Sequence, residues 1–141
     1  MTKYESDIKT ISSPEEMVFA ILSDLNNLSK LKDNPQMQEK LKDMEFNTDS
    51  CSFGIEGFGR VGFRITDRIP LNTIKFVSEH APVTVYGAVE LSKINNESTG
   101  MKLAIEADLP MMIKMMMEKK MVEGINMIAD ILAKALSKDN N

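Results

Sequence analysis

The chain has no tryptophan, one cysteine, one histidine and only 6% aromatic residues. A single thiol, Cys51, cannot form an internal disulfide, which fits a reducing compartment, with the cytoplasm as the default expectation. A single imidazole, His80, has no visible polar partner, and no catalytic pair, metal-ligand cluster or nucleophile elbow can be assembled around it. Basic excess is also missing. Seventeen Lys and Arg against 21 Asp and Glu leave a net charge of -4, and no basic patch with interleaved aromatics occurs, so neither nucleic acid nor an anionic membrane surface is an expected partner. Every apolar run is broken by Lys or Glu before the ~20 residues of a membrane span. The opening Met1-Thr-Lys-Tyr-Glu-Ser-Asp7 has no apolar stretch of the signal-peptide kind, so none is expected. No cofactor or metal is expected.

What remains is 141 residues of ordinary globular composition, 43% hydrophobic and 27% charged, long enough for one real core and read as one domain over 1–141. The dominant element is the stretch Pro110 to Leu136, free of interior proline and apolar at helical spacing. At 100° per residue, Ile113, Met117, Gly124, Ile128, Ile131 and Ala135 share a stripe, flanked by Met121 and Leu132 on one side and Met116 and Met127 on the other. Lys119, Glu123, Asn126 and Asp130 lie opposite. The spacing predicts an amphipathic helix of roughly 40 Å at about 1.5 Å per residue. A stripe that wide needs a broad partner, which the rest of the chain can supply only as a sheet.

The N-terminal half starts with Tyr4, Ser6, Ile8 and Thr10 alternating with charged residues, the period of a strand with one dry face. Ser12-Ser13-Pro14-Glu15-Glu16 offers a capping hydroxyl, a first-turn proline and two acids at the positive end of a helix dipole, so a helix should run to about Asp24. Leu28, Leu31, Met37 and Leu41 belong to one or two short helices divided near Asn34-Pro35. From Met44 the period changes to two through Thr48, then over Cys51–Ile55, Val61–Ile65, Thr73–Glu79, Val83–Leu91 and Met101–Asp108. The links at Asp49-Ser50, Gly57 to Gly59, Pro70 to Asn72, Ala81-Pro82 and Asn95 to Gly100 are short and turn-rich, which implies an antiparallel meander because parallel strands need long crossovers.

The predicted order is therefore strand, two helical segments, six strands and one long helix. That order, the Ser-Pro-Glu-Glu-Met-Val-Phe-Ala-Ile-Leu-Ser-Asp-Leu-Asn-Asn-Leu stretch from Ser13 to Leu28, and the Met-Lys-Leu-Ala-Ile-Glu-Ala-Asp-Leu passage from Met101 to Leu109 carry a resemblance. The chain resembles the START, polyketide-cyclase and plant pathogenesis-allergen (SRPBCC) superfamily over essentially its whole length, and within it the small bacterial members. The resemblance implies an α+β helix-grip fold, with a curved antiparallel sheet of about seven strands wrapped around the C-terminal helix. It also implies a deep cavity between sheet and helix that holds a hydrophobic small molecule. The inward strand parity agrees, since it offers aliphatics and Phe rather than charge. The residues expected to line that cavity are Phe53, Phe63, Phe76, Val85, Val89 and Leu103 on the sheet and Ile113, Met116, Met117 and Met121 on the helix. The expected function is binding of a lipid, isoprenoid or polyketide-like molecule without catalysis. The alternatives are a cyclase- or dehydratase-like enzyme, which would need a placed acid or base such as His80, and a co-chaperone-type interaction module.

Other motifs have plainer readings beside their functional ones. Seven of the twelve methionines fall between Met111 and Met127; flexible thioethers suit an adaptable ligand wall, and equally suit ordinary core filling. Copper(I) chemistry would want Cys or His beside them, and none is there. Gly57-Phe-Gly-Arg-Val-Gly62 matches the dinucleotide-binding letters, but its last glycine sits in a strand-period run instead of opening a helix. It reads as a turn plus a strand glycine that lets the sheet curve. Asn96-Glu-Ser98 reads as a turn rather than a glycosylation acceptor, and Cys51 as a buried, inert thiol.

Overall fold

The computed structural model describes residues 1–55 and 59–138. In chain order it contains β1 (Thr2–Glu5), β2 (Lys9–Ile11), α1 (Glu15–Leu22), a 3-10 segment (Leu25–Asp33), α2 (Pro35–Lys40), β3 (Lys42–Phe46), β4 (Ser50–Ile55), β5 (Gly59–Ile69), β6 (Thr73–Glu79), β7 (Val85–Asn95), β8 (Ser98–Ala107) and α3 (Met111–Leu136). The strands form one antiparallel sheet of eight, ordered β1-β8-β7-β6-β5-β4-β3, with β2 also paired to β8. This is the α+β helix-grip architecture, a curved sheet with a long C-terminal helix packed across it. Register shifts between Lys42 and Glu45, Ile65 and Asp67, and Lys93 and Asn95 mark the irregularities that bend the long strands.

One predicted strand is two. The Ser6 amide donates to the Leu103 carbonyl (2.8 Å), while the Ser6 hydroxyl accepts from the Leu103 amide (2.9 Å). A side chain thus replaces the backbone in the ladder and the register flips. Tyr4 and Ser6 are buried as their parity predicts, but Ile8 is 66% exposed and Ile11 takes the buried position on β2. The hydroxyls before α1 also act differently from the expected cap. Pro14 occupies the cap position in an extended conformation with no side-chain cap, and Ser13 instead donates to the Leu136 carbonyl at 2.6 Å. The helix ends at Leu22, with Ser23 as its C-terminal cap. Asn34 does cap α2, accepting from the Gln36 and Met37 amides at 2.9 and 3.1 Å ahead of Pro35 in the first turn.

The core lies between the concave face of the sheet and two helical layers. Val18 and Leu22 of α1, with Leu25, Leu31 and Met37, cover part of that face. The second half of α3 covers another part with Ala129, Ile131, Leu132, Ala133 and Leu136, against Ile11, Val89, Leu91 and Met101 in one cluster. The dry face of α3 centres on Ile125, Ala129, Leu132 and Leu136. It is rotated by one residue, about 100° around the axis, from the stripe through Gly124, Ile128, Ile131 and Ala135. Ile131 is still buried and Ile128 half-buried at its margin, whereas Ala135 is exposed. Burying a side chain such as Leu132 contributes about 1.5–3 kcal/mol of transfer free energy. Among the described residues no helix is long and apolar enough to cross a membrane.

Candidate functional site

Antiparallel register fixes which side chains share a face. On the concave side, Tyr4 stands opposite Ile105, Ile105 opposite Gly87, Gly87 opposite Phe76 and Phe76 opposite Ile65, a continuous row across β1, β8, β7, β6 and β5. A neighbouring row runs from Ser78 through Phe63 to Cys51 and Phe46. Phe53 follows on β4, and its ring stacks on Phe63 with centroids 6.1 Å apart and planes 27° from parallel. Phe53, Phe63 and Phe76 are all half-buried, as is Val85, while Val89 is buried and Leu103 half-buried against the core. These six sheet residues therefore occupy one face, as strand parity places them.

The four helix residues divide. Met117 and Met121 are half-buried on the side of α3 next to its dry face. Ile113 is 45% exposed and Met116 72%, and Met111, Met112 and Met115 are about three-quarters exposed as well. The helix packs against β1, β2 and β8, at one side of the sheet. Its polar ties to the rest of the chain, among the described residues, all fall in its second half. Asn126 accepts from the Asp7 amide (2.9 Å), Asp130 pairs with Lys9 (2.9 Å), Leu136 accepts from Ser13, and the Ser137 hydroxyl accepts from the Ser12 amide (3.0 Å). The first half of α3 overhangs. The half-buried Phe residues of β4, β5 and β6 stand on the concave face of the same sheet, and the exposed first half of α3 extends past these ties.

Three features of the concave face escaped the sequence list. Gly87 leaves a gap in the central row, because a Cβ there would make ordinary contact with Phe76 Cβ at 3.6 Å and Ile105 Cγ2 at 4.0 Å. Ser78 accepts from the Val85 amide at 2.8 Å across the open end of the β6–β7 hairpin, which makes it a polar point beside Phe63. Tyr4 is 4% exposed, and its hydroxyl is buried without a hydrogen-bond partner among the described residues. Tyr4 was legible as an inward residue by parity; the isolation of its hydroxyl was not, because that depends on what packs over it.

The titratable residues singled out by sequence sit as follows. Burial pushes the Cys51 thiol up to about 11, so it is protonated and unreactive at neutral pH. His80 is an exposed residue at φ 62°, in the turn that follows β6. It borders a shallow hollow of about 460 Å³ with Ser50, Ser52, Arg60 and Glu79, and Cys51 of the row through Phe63 lines it as well. A second hollow of about 660 Å³ lies between α2 and β3, lined by Lys32, Gln38, Lys42 and Asp43. Neither includes any of the ten residues expected to line a cavity. Of the dinucleotide-like letters, Gly62 is a buried strand residue of β5 and Gly59 a positive-φ residue (83°) at its start; Gly57 lies outside the described residues. Among the described residues no three His, Cys, Asp or Glu side chains cluster as a metal site.

The convex face is electrostatic in character. The Lys102 ammonium bonds Glu5 at 2.7 Å, which holds the Glu5 carboxyl below its usual range and raises Lys102. Glu90 and the Lys3–Glu106 pair extend the network. Exposed pairs of this kind stabilise little and mainly keep the outer face wet.

No protein-family model matches the sequence, and no curated protein sequence does either. Solved structures do match. Norcoclaurine synthase from Thalictrum flavum, in complex with dopamine and hydroxybenzaldehyde, superposes with a TM-score of 0.72 at 12% identity, covering 95% of this chain and 85% of that one. A START superfamily protein from Mycobacterium smegmatis gives 0.62 at 14% identity over 95% and 96% of the two chains. The Aha1 dimer from Colwellia psychrerythraea gives 0.64 at 16% identity, covering both chains fully. At these identities the likeness is one of fold, and the fold is that of the START and helix-grip proteins.

Proposed function

We propose that this protein binds a hydrophobic or amphipathic small molecule, of lipid, isoprenoid or polyketide-like character, in the groove between the concave sheet and the first half of α3. The observation that carries the reading is the set of half-buried Phe53, Phe63 and Phe76 on one face of the sheet, together with the exposed, methionine-rich first half of α3. Apolar walls with few polar groups are what such ligands need, and methionine adapts to ligands of different shape. A protein of the same fold holds dopamine and hydroxybenzaldehyde, so the architecture accommodates small aromatic molecules. The ten residues named from sequence are proposed as the wall, with Ile113 and Met116 at its rim and Met117 and Met121 inside it.

Mass spectrometry of material extracted from the purified protein tests the proposal. The expected result is an apolar compound recovered near one per chain, or, from an empty protein, saturable uptake of an apolar fluorescent probe. An empty protein that takes up no probe and instead captures another protein would replace this reading with an interaction module. Turnover of a polyketide or lipid substrate that disappears in His80→Ala would replace it with an enzyme.

A further inference from the structure

The start of α3 is apolar where nothing among the described residues covers it. Met111, Met112, Met115 and Met116 are each more than 70% exposed, and Ile113 is 45% exposed. At about 100° per residue these five side chains span roughly 200° of the helix circumference, about twice the stripe with which a helix packs on a solid neighbour. The half-buried Lys114 and Met117 occupy the remaining side. Exposed hydrophobics scattered singly are ordinary, but a contiguous set marks a surface that meets something apolar. Its place in the fold is fixed by register. Thr2 and Val85 both pair with Ala107, so Met1, 75% exposed, and the β6–β7 turn stand at the same end of the sheet as the start of α3. Positive charge follows directly behind. Between Met111 and Met121, Lys114, Lys119 and Lys120 against Glu118 leave a local charge of +2 in a chain whose net charge is -4, with Asp108 the one acid just ahead of the helix. Lys3, Lys9 and Lys102 are held in ion pairs, whereas these three lysines have none among the described residues.

We propose that this end of the domain docks on an anionic lipid surface, with the first turns of α3 entering the headgroup layer tip first and Lys119 and Lys120 resting on lipid phosphates. The run from Met111 to Met116 measures about 8 Å at about 1.5 Å per residue, within the ~5–10 Å that interfacial helices reach into a bilayer. Lys119 and Lys120 follow one turn later, at phosphate depth, and Lys114 can extend its ammonium to the same level. A fluid surface touches apolar side chains all round a helix end, which a protein groove does not. The negative charge of the whole chain argues against such a partner only when read as a total. What a lipid phosphate feels is the charge within a Debye length, about 10 Å at about 0.1 M salt, and there the sign is positive. The docking is independent of the small-molecule binding proposed above; a chain with an empty interior would dock equally.

Co-sedimentation of the full chain with vesicles tests this, using phosphatidylcholine alone and an equal mixture of phosphatidylcholine and phosphatidylserine. The protein should bind the mixed vesicles far more tightly, and added salt should weaken that binding. Lys119→Gln with Lys120→Gln should lower the affinity roughly twenty-fivefold, at about fivefold per lysine, and remove most of the salt dependence. Met112→Gln with Met115→Gln should lower it about tenfold or more. Both double variants should melt as wild type does, because their side chains lie outside the core. Ile94→Gln removes a 52% exposed hydrophobe beside the β7–β8 turn and should bind vesicles like wild type. No binding of wild type to the mixed vesicles, equal binding to both compositions, or an equal loss in Ile94→Gln would overturn the docking. So would a dimer in solution that Met112→Gln with Met115→Gln takes apart, which would make the tip an interface between copies. Uptake of diphenylhexatriene, a fluorescent hydrocarbon, without vesicles reads the interior separately. The lysine variant should take it up as wild type does; a wild type that takes up none yet sediments with the mixed vesicles would remove the small-molecule function and leave the docking standing.

Discussion

The two halves of α3 differ in everything except their sequence pattern. Both are apolar at helical spacing and the helix is unbroken from Met111 to Leu136. Yet Met111, Met112, Met115 and Met116 are more than 70% exposed, while Ala129, Leu132 and Leu136 are within 6% of full burial. The first half is built from methionine with Lys114, Lys119 and Lys120; the second from branched aliphatics and alanine. Small and branched side chains permit the close helix-to-sheet approach of a permanent core, and long unbranched ones suit a surface whose partner changes. Periodicity shows that a face is apolar, and only the opposing surface decides whether it is covered.

Substitution along the helix gives the sharpest contrast. Leu132→Ala removes a buried side chain from the shared core and should cost about 2–5 kcal/mol. Met115→Ala should change stability by less than ~0.5 kcal/mol, because an exposed side chain is lost and alanine is a good helix former. Urea titrations of both variants decide it; comparable losses would mean that the first half of α3 is packed in solution.

Cys51 reports how far dryness extends on the sheet side of the groove. Its pKa is raised by burial to about 11, above an unfolded value near 9. The folded state therefore holds its proton more tightly, so the contribution to stability is complete below pH 9 and is lost as pH rises through 11. The loss should reach roughly 2–3 kcal/mol at most, and Cys51→Ala should flatten that part of the pH profile. A ligand seated over β4 should also slow alkylation of the thiol.

Much of this architecture was legible because strands with one wet face must alternate, and the six strands from Met44 to Ala107 do. What was not legible depended on contacts made across the fold. The strand break at Ser6 exists because its hydroxyl bonds the Leu103 amide, a partner 97 residues away. The dry face of α3 differs by one residue from the hydropathy stripe because Ala129 packs as deeply as leucine, and a hydropathy pattern gives alanine little weight. Cavity depth is likewise set by where α3 comes to rest and not by which residues it contains.

That resting position is held by a polar clamp at the sealed end. Ser13 donates to the Leu136 carbonyl, and Thr99 donates to the Ser13 carbonyl at 2.8 Å, with both side chains fully buried. Ser13→Ala leaves the Leu136 carbonyl without this donor in a dry setting, so about 1–3 kcal/mol should be lost. Amide exchange should quicken first in the last turns of α3. Faster exchange starting instead at Met111 would mean that the two halves open as one unit.

The smallest effect on stability is expected at the boundary between the halves. Met117 is half-buried, one turn before Met121 on the flank of α3 next to its dry face, where the proposed groove would begin. If it looks into open space, Met117→Trp adds volume where nothing has to move. Overpacking a filled core costs about 1–3 kcal/mol, whereas occupying a void costs little. The variant should melt within a few degrees of wild type and lose affinity for diphenylhexatriene, because the indole takes the space the probe would use. The same substitution at Ala129, which is fully buried, should prevent folding. A strongly destabilised Met117→Trp would move the boundary of the core forward along α3, and a stable variant with undiminished probe binding would place the ligand away from this turn.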